Sequence, residues 1–166
     1  MPTRRMLKSC QTVVDSLSLP RPFSVDALLA DLATRRGRPI NVHTLDGAMT
    51  AHTCGLWIST DSSDDIFVEE RTTAFHREHI ILHEIGHLVC DHGAIHDGAS
   101  STFARLLPDL DPAMVRRLLA RTNYTDEQEQ EAELVASLIR TAAGSRAGPP
   151  SGGVRGELEL ALGIRE

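Results

Sequence analysis

The chain has no apolar run near the 18 residues that a membrane-spanning helix needs, so no such span is expected. It has only three cysteines, Cys10, Cys54 and Cys90, too few and too scattered for a disulfide framework. It has a single lysine, Lys8, and no excess of positive charge: 17 basic residues against 23 acidic ones leave a net charge of −6. A non-specific nucleic-acid coat and a polybasic membrane anchor are therefore disfavoured. The opening MPTRRMLKSCQTVVDS turns polar where a signal peptide needs an apolar stretch. The expectation is a reduced, cytoplasmic protein that touches neither membrane nor DNA directly. No internal repeat is present.

What remains is ordinary for a globular domain, with 41% hydrophobic and 24% charged residues in 166 positions. That length suits one domain able to bury roughly two thirds of its unfolded surface. The feature out of proportion is histidine: eight residues, most of them between His52 and His96.

Local patterns divide the chain into helices around a small sheet. Residues 3–18 carry a weak helical stripe, Met6, Val13, Val14 and Leu17, which Pro20 and Pro22 then interrupt. Ser24 is a fitting N-cap for a helix Val25–Arg36 with Val25, Leu28, Leu29 and Leu32 on one face, and Gly37 stands where a helix stops. Residues 39–45, 55–59 and 65–69 are β-prone runs bounded by Gly, Asp and Ser, predicting two or three strands in an antiparallel or mixed sheet. Residues 73–90 form one helix whose apolar residues cover most of its circumference, so it runs through the interior. Gly93 and Gly98 punctuate the next stretch, and Asp111-Pro112 opens a helix through Ala120. Thr125 and Gln128 spell a capping box for a last helix to about Ala142. The expected organisation is one domain over 1–143 and a flexible linker with a short tail over 144–166.

The chemistry concentrates in His83-Glu84-Ile85-Gly86-His87, an H-E-x-x-H pattern. Residues four apart stack on one helix face, so two imidazoles so placed can bind one zinc ion, while Glu84 falls beside the water that zinc activates and can act as general base. His79 continues the row, but His79, His83 and His87 span about 12 Å along the axis, too far for one ion to meet all three. His79 and His76 are read as surface or supporting residues.

A catalytic zinc needs a third protein ligand. The spacing that would supply a third histidine is occupied by Cys90 and Gly93, and His92 and His96 miss the register. The remaining source is the acidic start of the last helix, DEQEQEAELVAS. Glu129 is preferred there, with Glu131 the alternative. Glu129, Ala132 and Glu133 share one side: Ala132 permits close helix approach, and Glu133 can hold a ligand histidine in its tautomer. Tyr124, the only tyrosine, and His92 are candidates for stabilising an oxyanion. Ile66–Glu69 is a candidate edge strand for aligning a peptide, or else a buried core strand. Cys90 reads as a small buried hydrophobe, and Arg116, Arg117 and Arg121 as a solvated stripe. No helix-turn-helix pattern is convincing.

HEIGHLVCDH followed by EQEAELVA resembles the ImmA/IrrE-type zinc metallopeptidases, whose pattern is H-E-x-G-H and then E-x-x-A-N-x-F-A. The resemblance covers roughly residues 24–142. It implies an α+β, zincin-like metallopeptidase domain: N-terminal helices, a small sheet, the H-E-x-x-H helix and a C-terminal ligand helix. It implies one zinc per chain on His83, His87 and Glu129, although another divalent ion such as manganese suits the same donors, and Glu84 as base. It further implies endopeptidase action on a protein, such as a helix-turn-helix transcriptional repressor or a similar regulator. The chain departs from the family in having Glu133 where Asn or Asp is usual, Val135 in place of Phe, a longer segment between His87 and Glu129, and LIRTAAG in place of Leu-Leu-Met-Pro. The alternative reading is a zinc-stabilised binding protein that holds a repressor or toxin partner without cutting it.

Overall fold

A computed structural model describes residues 2–45, 55–59, 62–92 and 124–145. The helix expected at 111–120, the Gly93 and Gly98 breaks, Cys54, His96 and everything from 146 onward lie outside the described residues. Within them the order is α1 (Arg4–Ser16), α2 (Val25–Arg36), β1 (Ile40–Leu45), β2 (Gly55–Ser59), β3 (Asp64–Glu69), α3 (Ala74–Val89) and α4 (Asp126–Ser145). The class is α+β, with a small mixed sheet. None of these helices is long and apolar enough to cross a membrane.

Each helix starts where a side-chain oxygen meets an orphan backbone N–H. Thr3 accepts from the Met6 N–H at 3.2 Å, and Ser24 from the Ala27 N–H at 3.0 Å. The capping box is reciprocal: Thr125 Oγ1 accepts from the Gln128 N–H at 3.2 Å, and Gln128 Oε1 accepts from the Thr125 N–H at 3.0 Å. Gly37 ends α2 in the left-handed region at φ 68°, where a Cβ would be strained. In α1 the buried stripe is Met6, Cys10 and Val14. Val13 and Leu17 of the expected stripe are only half-buried.

The sheet order is β1-β3-β2, with β1 parallel and β2 antiparallel to β3. This corrects one of the two readings of Ile66–Glu69. The segment is the central strand, hydrogen-bonded on both sides, and has no free edge to offer a peptide; β2 is the edge on that side. Its sequence is consistent with that position, since Asp64 to Val68 are all buried. Register puts Val42, Ile66 and Trp57 side by side on the face that joins the helical core, with Val68 beyond them. The opposite face carries Leu56, Ile58, Phe67 and Asp65, all buried as well. There Asp65 accepts from Asn41 Nδ2 at 3.0 Å and Ser63 Oγ at 2.5 Å, and lies 2.7 Å from His43 Nε2.

A second buried carboxylate ties α2 to the sheet. Asp64 is fully buried and receives Arg36 Nε at 2.7 Å, Arg38 Nε at 2.8 Å and Trp57 Nε1 at 3.0 Å. Burial alone would raise its pKa, but these donors, with Ser59, outweigh burial and hold it below the usual carboxylate range.

Helix α3 crosses the interior, burying Ile80, Ile81, Leu82, Ile85 and Leu88 along with Glu84, Gly86 and His87. It meets α4 at Gly86. A Cβ there would lie 2.6 Å from the Ala132 carbonyl oxygen and 2.8 Å from its Cα, so only glycine allows this separation. Ala132, Val135, Ala136 and Ile139 form the buried side of α4. The small residue expected to admit close approach is thus at the crossing, opposite a glycine inside the H-E-x-x-H motif itself.

Candidate metal centre

The crossing of α3 and α4 brings together residues 42 or more apart in sequence. His83 and His87, one turn apart, direct their Nε2 atoms at each other across 3.1 Å. Glu129 comes from the first turn of α4, with Oε2 at 3.2 Å from His83 Nε2 and Oε1 at 3.8 Å from His87 Nε2. His83, His87 and Glu129 form a group able to hold a metal ion, with one donor atom from each lying within 4.8 Å of the others.

The donor set fits a divalent ion on chemical and geometric grounds. Two imidazole nitrogens and a carboxylate are the ligand types of an open tetrahedral site, and nitrogens bound at 2.0–2.1 Å in that geometry lie about 3.3 Å apart. The carboxyl of Glu129 is held far below its ordinary pKa by the imidazoles of His83 and then His87 beside it, which outweigh burial. His87 is shifted down, first by burial. His83 is shifted up: burial lowers it, but the hydrogen bond to Glu129 and the charges of Glu84, Glu129 and Glu133 prevail.

Glu84 stands beside this group on the same helix, 4% exposed. Burial is the main cause that pushes its carboxyl up to about 7, partly countered by His83 and by the backbone N–H of Trp57 on β2. Its Oε2 is buried without a hydrogen-bond partner among the described residues. The room for Glu84 is made by β2, because a Cβ on Gly55 would sit 2.6 Å from Glu84 Oε1 and 2.6 Å from Ile80 Cγ2. A buried acid with an unused oxygen and a perturbed pKa, next to a convergent donor set, is the arrangement expected of a reactive group.

The other sequence candidates separate clearly. Tyr124 lies flat on the His87 ring, centroids 3.8 Å apart and planes 16° apart. Its hydroxyl is buried and also lacks a partner among the described residues. Burial, then the charges of Glu84 and Glu129, push the phenol pKa up, so it stays a donor. Glu133 is 3.5 Å from His83 Nδ1 but makes its hydrogen bond to His79 Nε2, at 3.1 Å. His79 in turn lies 3.4 Å from Arg140 Nη1, and Arg140 covers the exposed ring of Phe75 at 3.9 Å. Cys90 is half-buried, its thiol pushed up to about 12, first by burial.

His92 is on the wrong side for an oxyanion partner. It contacts His87 through Nδ1, at 3.1 Å, whereas His83 and Glu129 meet His87 at Nε2. The cause is local: α3 ends with Asp91 in the left-handed region at φ 54°. The His92 N–H then bonds back to the His87 carbonyl at 3.0 Å and the Asp91 N–H to that of Leu88 at 3.3 Å, the paired bonds of a Schellman stop. The stop folds His92 against the back of His87. Glu131 points to the same place, its Oε2 2.8 Å from His92 Nε2. Glu131, the alternative third ligand in the sequence, thus meets His92, while Glu129 joins His83 and His87; a histidine just past the helix end, in reach of an acidic helix, is the signal that could have paired it.

No protein-family model matches the chain, and no curated protein matches it.

Proposed function

We propose that this chain is a zinc-dependent endopeptidase, similar in its site to the ImmA/IrrE-type metallopeptidases, acting on a helix-turn-helix repressor or a comparable regulatory protein. The observation that carries the reading is the position of Glu84. It is a buried carboxyl with one unpartnered oxygen among the described residues and a pKa about 7, beside a His83–His87–Glu129 donor set. A structural metal site has no use for such a group; hydrolysis does.

Zinc held by His83, His87 and Glu129 would supply a Lewis acid and bring the pKa of a water towards 7. Glu84, beside that donor set, is the carboxylate that would accept a proton from the attacking water and return it to the leaving amine. The Tyr124 phenol, kept protonated by its surroundings, is a donor for the negative charge that develops on the carbonyl oxygen. His87, buried and stacked under Tyr124, is held rigidly, as a ligand should be.

The test uses zinc-loaded wild type and Glu84→Gln, incubated with helix-turn-helix regulators encoded nearby and followed by intact mass. One shortened regulator with wild type, and none with Glu84→Gln at equal zinc content, is the expected result. Zinc binding together with a stable, uncut complex would replace the enzyme by a zinc-stabilised binding protein. Absence of zinc binding after metal add-back would remove both.

A further inference from the structure

We propose that His92 and Glu131 are positioning residues that fix the tautomer and orientation of His87, leaving its Nε2 free as a metal donor. The inference rests on the metal-centre reading above. It begins with hydrogen-bond accounting. Glu131 Oε2 is 2.8 Å from His92 Nε2, and a carboxylate can only accept, so His92 Nε2 carries the proton. A neutral His92 then has its lone pair at Nδ1. That atom faces His87 Nδ1 at 3.1 Å, so the hydrogen between them belongs to His87 Nδ1. His87 is therefore left with an unprotonated Nε2, the atom 3.1 Å from His83 Nε2 and 3.8 Å from Glu129 Oε1.

The chain of donors runs one way: His87 Nδ1–H to His92 Nδ1, and His92 Nε2–H to the Glu131 carboxylate. A metal-bound histidine commonly gives its other N–H to a carboxylate or carbonyl; here a second imidazole is inserted between them. Both imidazoles are nearly enclosed, His87 at 1% and His92 at 5% exposure, so water does not compete for either Nδ1. The ring centroids are 5.2 Å apart and the planes 72° apart, as in-plane donation from one ring edge to the other allows. Three features hold the line in place: the Schellman stop at Asp91 for His92, the Gly86–Ala132 contact for the spacing of α3 and α4, and the Cys10 thiol, which reaches the Glu131 carbonyl at 3.9 Å from α1.

Glu129 and Glu131 thus serve one imidazole from two sides. Two residues apart on α4, they project about 200° apart around the helix, and His87 with His92 extends far enough to meet both.

The experiment has two readouts. Long-range 1H–15N spectra of the metal-free, full-length protein report the tautomer of each histidine. The expected signature is His87 protonated at Nδ1 and His92 at Nε2. Competition with a chromogenic chelator reports zinc affinity for wild type, His92→Phe, Glu131→Gln and the double variant, each checked for folding by circular dichroism. His92→Phe is expected to weaken zinc binding about 10- to 100-fold, Glu131→Gln less, and the double variant no more than His92→Phe alone, because Glu131 acts through His92. Wild-type His87 protonated at Nε2, or unchanged zinc affinity in folded His92→Phe, overturns the proposal; should His92→Phe fail to fold, unchanged affinity and an unchanged His87 tautomer in Glu131→Gln do so. If wild type binds no zinc, the metal-centre reading fails by itself, while the tautomer measurement still decides the hydrogen-bond chain.

Discussion

Among the buried carboxylates of the described residues, Asp64 and Glu84 are treated in opposite ways. Asp64 meets two guanidinium groups and an indole N–H, and its pKa is lowered; every element around it gains an anchor. Glu84 meets one backbone N–H, keeps an oxygen unpartnered among the described residues, and is raised to about 7. Burial is the same physical force in both places. The difference lies in how many donors the fold aims at each group, and it separates a group that holds structure from a group held ready for a proton.

The contrast can be broken most forcefully at the level of activity. Glu84→Gln is expected to reduce cleavage of the regulator by roughly 10²–10⁴-fold, the usual contribution of a general base, with zinc content unchanged; Asp64→Asn should alter rate only as far as it lowers the folded fraction. Parallel rate and metal measurements on the two variants decide this.

Stability should sort them in the reverse order. Asp64→Ala strands the buried Trp57 N–H and leaves Arg36 and Arg38 without their shared acceptor. A loss of about 3 kcal/mol in denaturant titration is expected. Because the folded pKa of Asp64 is depressed, its contribution is present above the unfolded value of 3.8 and disappears as pH falls through the folded one. Glu84 carries the opposite sign. In metal-free protein the folded state retains a proton that the unfolded chain has released, so stability falls as pH rises from 4.5 to about 7. That fall, on the order of 3 kcal/mol for a shift of this size, should be missing from Glu84→Gln. A pH series of urea midpoints for wild type and the variant measures it.

Smaller effects sharpen the comparison by moving the walls. Gly55→Ala places a Cβ against Glu84 Oε1 and Ile80, and overpacking should cost about 1–2 kcal/mol. Because the Glu84 carboxyl must shift, the pH-dependent fall in stability should change as well, which the same midpoints reveal. Smallest is Asp91→Gly. Relieving the left-handed φ at the end of α3 is expected to stabilise the protein by about 0.5 kcal/mol, read as a small rise in Tm with zinc affinity kept.

Much of this is legible in one dimension because it depends on neighbours along the chain. Ser24 and Gly37 bound α2, Thr125 and Gln128 open α4, and H-E-x-x-H sets two imidazoles on one face; each is a relation over three or four residues, or one helix length. The pairing of Glu129 with the histidines is readable from the side that Ala132 and Glu133 share with it. Relations between segments are not legible in this way. Ile66–Glu69 differs from an edge strand only in what lies beside it, and β1 reaches it by skipping over β2 in sequence order. Asp64, just outside the expected strand, and Asp65, at its start, give no sign of their burial until Arg36, Arg38, Trp57 and His43 arrive from other elements. Spacing from His87 says nothing of where His92 points, because the left-handed turn at Asp91 sets its direction.

The sequence by itself determined the described helices, the caps of α2 and the N-terminal cap of α4, and the presence of two metal-type imidazoles with a glutamate between them, since helical periodicity is a local property of the backbone. Tertiary structure alone decided which strand is central, which buried acid is satisfied and which is not, and which atoms of His87 face outward and backward. Those are settled by packing across the α3–α4 crossing and the sheet, where Gly86, Ala132 and Gly55 set distances that no spacing along the chain encodes.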